Sequence, residues 1–248
     1  MSRYVVNATW SDVPHLTQEE QDELWRSIPN YQRQARSKGI PVLGSGVIYP
    51  FDEERVKVAP VDIPKHWPRC FGMDTDAGAG WTAIAWLAWD RDQKTVYVYR
   101  CYKSDSHSLP VHAEALTTQG KWIPGVADAA GLLVTEKDSI QVIELYKAAG
   151  IDIELPDKSV EAGIQDVYDL FEAGRLKVFA TCSDWFTEFR QYHRDKGKIV
   201  KSNDHLMDAT RYGIRSGLAR AKVKPKEAEQ EQRYVYAQGH SGTGWMGM

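Results

Sequence analysis

The hydrophobic period of this chain changes once, and that change limits the folds open to it. Residues 70–73, 82–89 and 95–102 are apolar runs joined by short turns, and in the last of them Val96 and Val98 alternate with Tyr97 and Tyr99. A two-residue period is that of a strand, so the three runs predict an antiparallel meander. Beyond them helix and strand take turns. We expect helices over 110–118, 139–149 (closed by Gly150) and 160–173 (closed by Gly174), and strands over 126–128, 151–155 and 176–179. The last quarter predicts a helix over 184–193 with Trp185, Phe186, Phe189 and Tyr192 at helical spacing, and then a Lys196-Gly197-Lys198 hairpin turn. A final helix follows from Asp204 to about Ala221, capped by Asn203. A meander followed by alternation calls for an α/β fold, a mixed sheet of five strands flanked by helices.

The flanks are different in kind. Residues 1–45 are polar and carry one expected helix, opened by a Thr17/Glu20 capping box and stopped at Pro29, so they read as a linker. The compact domain is expected over 46–221, and the Lys-, Glu-, Gln-, Gly- and Ser-rich segment 222–248 reads as a disordered tail. The 248 residues suffice for a core without disulfides or structural metals, and three cysteines with no CxxC pair argue against a zinc ribbon and for a reducing compartment. The longest apolar run, 81–89, is too short to span a bilayer, and Ser2 and Arg3 do not begin a signal core, so the expected setting is the cytoplasm with no membrane partner. The chain contains no GxxxxGK[ST], which excludes a P-loop ATPase within it, and no GxGxxG opens an expected helix.

Chemistry is carried by carboxylates. Asp74 ends an apolar run and opens the small-residue turn Thr75-Asp76-Ala77-Gly78-Ala79-Gly80. Asp128 ends Gly125-Val126-Ala127 and precedes Ala129-Ala130-Gly131. Strand ends of α/β sheets are where sites gather, and small residues leave room for a ligand. Asp204 and Asp208 lie four apart on the final helix. That spacing costs a bare helix roughly a few tenths of a kcal/mol, which the helix N-terminus offsets and a bound divalent cation reverses. Each Asp alone also reads as turn or capping chemistry. Together they suit two hard cations, Mg²⁺ or Mn²⁺, held about 4 Å apart. The seven histidines form no HxxxH or HExxH pattern. His205, beside the acids, reads as a partner of a ligand, as a general base, or as an ordinary exposed histidine. No GxSxG elbow is present. Basic residues cluster late, at Arg190, Arg194, Lys196, Lys198 and Lys201 and from Arg211 to Lys226. They suit phosphate contact or a solvated face, and a net charge of −3 forbids neither, because local patches and bound ions set the field at phosphates.

A meander opening, an Asp at the end of its first strand, another after the fourth and an acidic final helix resemble the ribonuclease H-like nucleases. Phe71-Gly72-Met73-Asp74, Thr82 to Asp90, Ser159 to Ile164, Ser183 to Arg194 and Asp204 to Tyr212 are similar to the large terminase subunits of tailed bacteriophages. So are Thr9 to Leu16 and Ala35 to Pro41, which resemble the stretch leading out of that family's ATPase motor. The resemblance implies a ribonuclease H-like sheet with a terminase-type hairpin insertion, in the C-terminal nuclease half of a longer protein. It implies two-metal cutting of concatemeric double-stranded viral DNA. The ligands would be Asp74, Asp128 and either Asp204 or Asp208, with Asp76 and His205 behind them and Arg194, Lys196, Lys198 and Arg211 on the DNA phosphates. Implied partners are double-stranded DNA, the viral portal, the small terminase subunit and the ATPase motor of the same protein. The implied location is the cytoplasm of the infected host and not the mature virion. The rival readings are a non-catalytic module docking on DNA or portal, and a junction resolvase or ribonuclease H of the same fold.

Overall fold

The computed structural model describes residues 10, 16–28, 37, 46–75, 81–106, 108–128 and 136–226, with the side chains of 136–141 outside the description. Asp76 therefore lies outside the described residues. So does most of the expected linker, although its helix is present as α1 (Gln18–Ser27), with the Thr17/Glu20 capping box formed.

Helix α2 (Glu53–Val56) leads into strand β1 (Lys57–Val58), and the meander follows as β2 (Arg69–Thr75), β3 (Thr82–Asp90) and β4 (Thr95–Ser104). Alternation then gives α3 (Leu109–Gln119), β5 (Gly125–Asp128), α4 (Glu136–Ala148), β6 (Ile153–Glu154), α5 (Val160–Glu172) and β7 (Leu176–Phe179). Helix α6 (Ser183–Gln191), the hairpin β8 (Arg194–Asp195) and β9 (Lys198–Ile199), and α7 (His205–Tyr212) complete the site-bearing part. Lys196 and Gly197 both have positive φ, 47° and 80°, as a two-residue hairpin turn requires.

Among the described residues the main sheet has seven strands in the order β1-β7-β4-β3-β2-β5-β6, where five were expected. The two-residue strands β1 and β6 close its edges; β6 lies inside the run expected over 151–155, and both are too short to be counted as members of the main sheet from their sequence alone. The meander pairs antiparallel, while β2–β5, β5–β6, β4–β7 and β1–β7 pair parallel. Successive residues face opposite sides. Cys70 and, on β3, Ala83, Ala85 and Leu87 therefore join a core with residues of α5, α6 and α7. Phe71, Met73, Ile84 and Trp86 join a second core with α3 and α4 on the other face. No described helix is long and apolar enough to cross a membrane.

The final helix departs from expectation in three ways. Its first residue is His205, and the N-cap is Asp204, not Asn203, whose φ of 54° places it in the loop. After Tyr212 the helix widens into a π-helical segment, Gly213–Gly217, and returns to α-helix only for α8 (Leu218–Arg220). Beyond it Lys222 still belongs to the folded body, since its backbone exchanges hydrogen bonds with Arg69, so the boundary expected after 221 falls later. Glycine decides how closely this helix approaches β2. A Cβ on Gly72 would lie 1.9 Å from the Ala209 carbonyl oxygen and 2.6 Å from the Gly213 nitrogen, both backbone atoms that cannot swing aside. We expect Gly72→Ala to lower the unfolding free energy by about 3 kcal/mol, measured from urea midpoints. Gly217→Ala comes no nearer than 3.3 Å to its neighbours, Cys70 Sγ and the Phe71 carbonyl oxygen, and should cost less than half as much.

Candidate active site

Asp74 and Asp128 are register partners on the parallel neighbours β2 and β5, so both carboxylates leave the sheet side by side on the face that α7 covers. The Thr75 hydroxyl donates to the Asp128 carbonyl at 2.8 Å and ties the two strand ends together. Over them, His205 Nδ1 lies 3.2 Å from Asp74 Oδ2 and the Tyr212 hydroxyl donates to Asp128 Oδ2 at 3.1 Å. His205 and Tyr212 are both buried, so the exposed-histidine alternative is overturned.

Asp208, also buried, is enclosed by donors. Tyr192 Oη and Arg211 Nε both reach its Oδ1 at 3.3 Å, Arg211 Nη2 stands 3.0 Å from the same oxygen, and Lys201 Nζ donates to Oδ2 at 2.8 Å. Lys201 also sits 3.0 Å from Asp204 Oδ2, an ion pair without hydrogen-bond alignment. On the other side Lys158 Nζ is 2.8 Å from Asp128 Oδ1.

The electrostatics show which acids share one space. Burial pushes the Asp74 carboxyl up to about 6; the His205 hydrogen bond opposes the rise, and the charges of Asp208 and Asp128 add to it. The Tyr212 hydroxyl is raised by burial and then by the negative charges of Asp208, Asp128 and Asp74. His205 is raised chiefly by its hydrogen bond to Asp74. The charges of Asp74, Asp128 and Asp208 are thus all felt at the Tyr212 hydroxyl, which donates to Asp128, whereas that of Asp204 is felt at Lys201 and His205.

Among the described residues no three Asp, Glu, His or Cys side chains close on a single point, and lysines stand beside three of the acids. The donor set nevertheless fits hard cations. It consists of carboxylate oxygens, and one of them, Asp204 Oδ2, is buried and accepts no hydrogen bond. Asp74, Asp128 and Asp208 could hold such an ion, with Asp204 Oδ2 next in reach of Lys201.

The expected DNA contacts divide. Lys196 and Lys198 stand exposed on the β8–β9 turn with no ion pair among the described residues. Arg194 is committed to Glu161, its Nη2 lying 2.8 Å from both carboxylate oxygens. Arg211, 1% exposed and bound to Asp208, cannot reach phosphate, which corrects the expectation. Sequence reasoning missed Lys158, Tyr212 and Lys201 as members of the site. A signal for Lys158 existed, because the β6–α5 loop emerges at the carboxyl end of the strand beside β5, where parallel sheets gather ligands.

A mixed sheet opened by a meander, with acids at two neighbouring strand ends facing another on the closing helix, defines the ribonuclease H-like class. The chain belongs to the terminase RNaseH-like domain family, whose profile matches residues 71–216. It is 37% identical over 242 residues to the large terminase subunit of Salmonella phage P22, an alignment covering 91% of this chain and 48% of that protein. It thus spans about half the length of that relative. The solved nuclease domain of the P22 large terminase superimposes with a TM-score of 0.65 at 35% identity, over 73% of this chain and 97% of that one. Two further nuclease domains share the fold with TM-scores of 0.51. The SPP1 domain, with bound Mn, is 19% identical over 63% of this chain and 92% of its own; the G20c domain, with bound magnesium, is 14% identical over 69% and 97%.

The raised Asp74 carboxyl has a consequence for stability in metal-free buffer. A carboxyl whose folded pKa lies above its ordinary value holds its proton more tightly in the fold. Stability therefore falls as pH rises from about 4 to beyond the folded value of about 6. Asp74→Asn removes that penalty, so at pH 8 in EDTA the variant should be more stable than the wild type by on the order of 2 kcal/mol. The gain should vanish near pH 4. Urea unfolding at the two pH values measures it.

Proposed function

We propose that this domain is the nuclease of a large terminase, a divalent-metal-dependent endonuclease that cuts concatemeric double-stranded viral DNA by two-metal phosphodiester hydrolysis during packaging. The observation that carries the reading is the register pairing of the strand-end carboxylates Asp74 and Asp128, with His205 and Tyr212 of the closing helix bonded to them and the charge of Asp208 felt at Asp74, in a chain of this family. The metals found in the SPP1 and G20c nuclease domains support Mn²⁺ or Mg²⁺ as the cofactor. When bound, such ions supply a water of lowered pKa and charge neutralisation at the leaving 3′-oxygen.

The chain's own residues do the rest. Asp74 and Asp128 are fixed by strand register and present paired carboxylates at the sheet edge. Arg211 and Tyr192 hold Asp208 Oδ1 and leave Oδ2 facing the exposed Lys201. His205 shares a proton with Asp74 at Nδ1, and Tyr212 keeps Asp128 oriented through Oδ2. Lys158 and Lys201 have exposed side chains and can turn from carboxylate to phosphate oxygen. No side chain is placed as a covalent nucleophile among the described residues, and none is needed. In this reading the ATPase motor, the portal and the small terminase subunit are the partners, and the cytoplasm of the infected host is the place.

Supercoiled plasmid with Mn²⁺ or Mg²⁺ is the direct test. Asp74→Ala and Asp128→Ala should each reduce nicking and linearisation below about one hundredth of wild type. Undiminished cleavage by either variant would overturn the mechanism, and preference for a four-way junction or an RNA–DNA hybrid would move the chain to another enzyme of this fold. The hairpin makes a separate prediction. Replacing Lys196 and Lys198 with Gln should weaken DNA binding and lower the logarithmic salt slope by about two while metal affinity is unchanged. An unaltered slope would place the DNA path elsewhere.

A further inference from the structure

We propose that Glu188 is a positioning residue of this site: from α6 it supplies the N-terminal cap that α7 lacks and so sets His205 and Asp208 against Asp74. The inference rests on the proposed metal-dependent nuclease reading for its consequence, though its geometry stands apart from that reading.

An α-helix begins with unpaired N–H groups, and the N-cap side chain ordinarily accepts from one of them. Asp204 occupies the N-cap of α7 but makes no capping hydrogen bond, because its carboxylate is turned to Lys201. The acceptor comes from another helix. Glu188 Oε2 takes the Leu206 N–H at 2.5 Å. A carboxylate there meets both the amide and the positive end of the helix. Its other oxygen, Oε1, accepts from Lys103 Nζ at 2.6 Å, and Glu188 is 1% exposed. Lys103 is itself mostly buried and lies over the Trp81 ring, 4.8 Å from the centroid.

The place of Lys103 in the sheet gives this contact its meaning. Lys103 pairs with Ala83, Ala83 with Asp74, and Asp74 with Asp128, so the four residues form one transverse row across β4, β3, β2 and β5. Residues in such a row share a face. Glu188 therefore ties the first turn of α7 to the same row of the sheet that carries the two strand-end acids, and does so one residue from His205 and two from Asp208. A buried carboxylate paired with a buried ammonium is expensive to maintain as a mere packing element. Here each oxygen has one partner, and both partners fix the level at which α7 sits.

The test compares Glu188→Ala and Glu188→Asp with the neutral pair Lys103→Met/Glu188→Gln. Aspartate keeps the charge opposite Lys103 but withdraws from Leu206, so it serves even if the alanine variant fails to fold. In the paired variant the Gln carbonyl can still accept from Leu206, and no unpaired charge is left behind. Without metal or DNA, the Leu206 amide should exchange with solvent at least about tenfold faster in the Asp and Ala variants and return to within about threefold of wild type in the paired variant. Mn²⁺ affinity by calorimetry should follow, falling about tenfold and recovering with the pair. In plasmid cleavage kcat should fall with Mn²⁺ affinity while KM for DNA stays within about twofold. Unchanged Leu206 exchange in Glu188→Asp would overturn the capping contact, and faster exchange with wild-type Mn²⁺ affinity would overturn the positioning role. If the wild-type protein cuts no DNA, the functional reading fails, and the exchange and Mn²⁺ arms still decide this one.

Discussion

The site depends on a backbone-to-backbone contact between β2 and the final helix. Along β2, Cys70, Gly72 and Asp74 face the helix, and along the helix Gly217, then Gly213 with Ala209, then His205 meet them in that order. Two strand residues advance about 6.6 Å and four helical residues about 6 Å, so the rows stay in step for the length of the contact. At its centre Gly72 has no room for a methyl group. Any larger residue would lift the helix from the sheet and carry His205 and Asp208 away from Asp74. The π-helical segment Gly213–Gly217 belongs to the same constraint, since it adjusts the helix where glycine touches strand and keeps Gly217 over Cys70.

Against this rigid frame the site gathers like charges, and the structure offsets them unequally. Asp74 bears the burial cost most openly, with one hydrogen bond to His205 and a carboxyl held near 6. Asp208 is more buried yet fully enclosed by Arg211, Tyr192 and Lys201. Charge alone therefore does not rank these acids, because the number and permanence of donors at each oxygen does.

Much of this was legible in the chain. The meander, the alternation, the hairpin turn and the strand-end acids Asp74 and Asp128 follow from period and punctuation, because each is a local pattern. Asp208 and Asp204 could not be separated, since four-residue spacing puts both on one helix face, and only the start of α7 makes Asp204 a cap residue. Arg211 was read as a DNA contact because a basic residue in a basic run looks solvated. Its burial depends on Gly163 of α5, where a Cβ would meet the Arg211 side chain at 2.6 Å, a contact between residues far apart in sequence. Lys158 and Glu188 entered the site by the same tertiary route. Neither has a local pattern, and each is placed by the sheet order.

The two kinds of cation around the acids have different permanence. Arg211 is 1% exposed and Lys201 and Lys158 have side chains 63% and 49% exposed. Removing a buried partner such as Arg211 leaves an uncompensated charge, at a cost of about 3–5 kcal/mol, whereas an exposed lysine pair contributes at most about 1 kcal/mol. Arg211 therefore fixes where Asp208 Oδ1 lies, and the lysines only neutralise Oδ2 of Asp208 and Oδ1 of Asp128 until something binds more strongly. Tyr212 likewise commits Asp128 Oδ2 from a buried position. Each of these two acids is left with one oxygen locked by the fold and one facing an easily displaced lysine. The fold has thereby set in advance which oxygens a ligand can take.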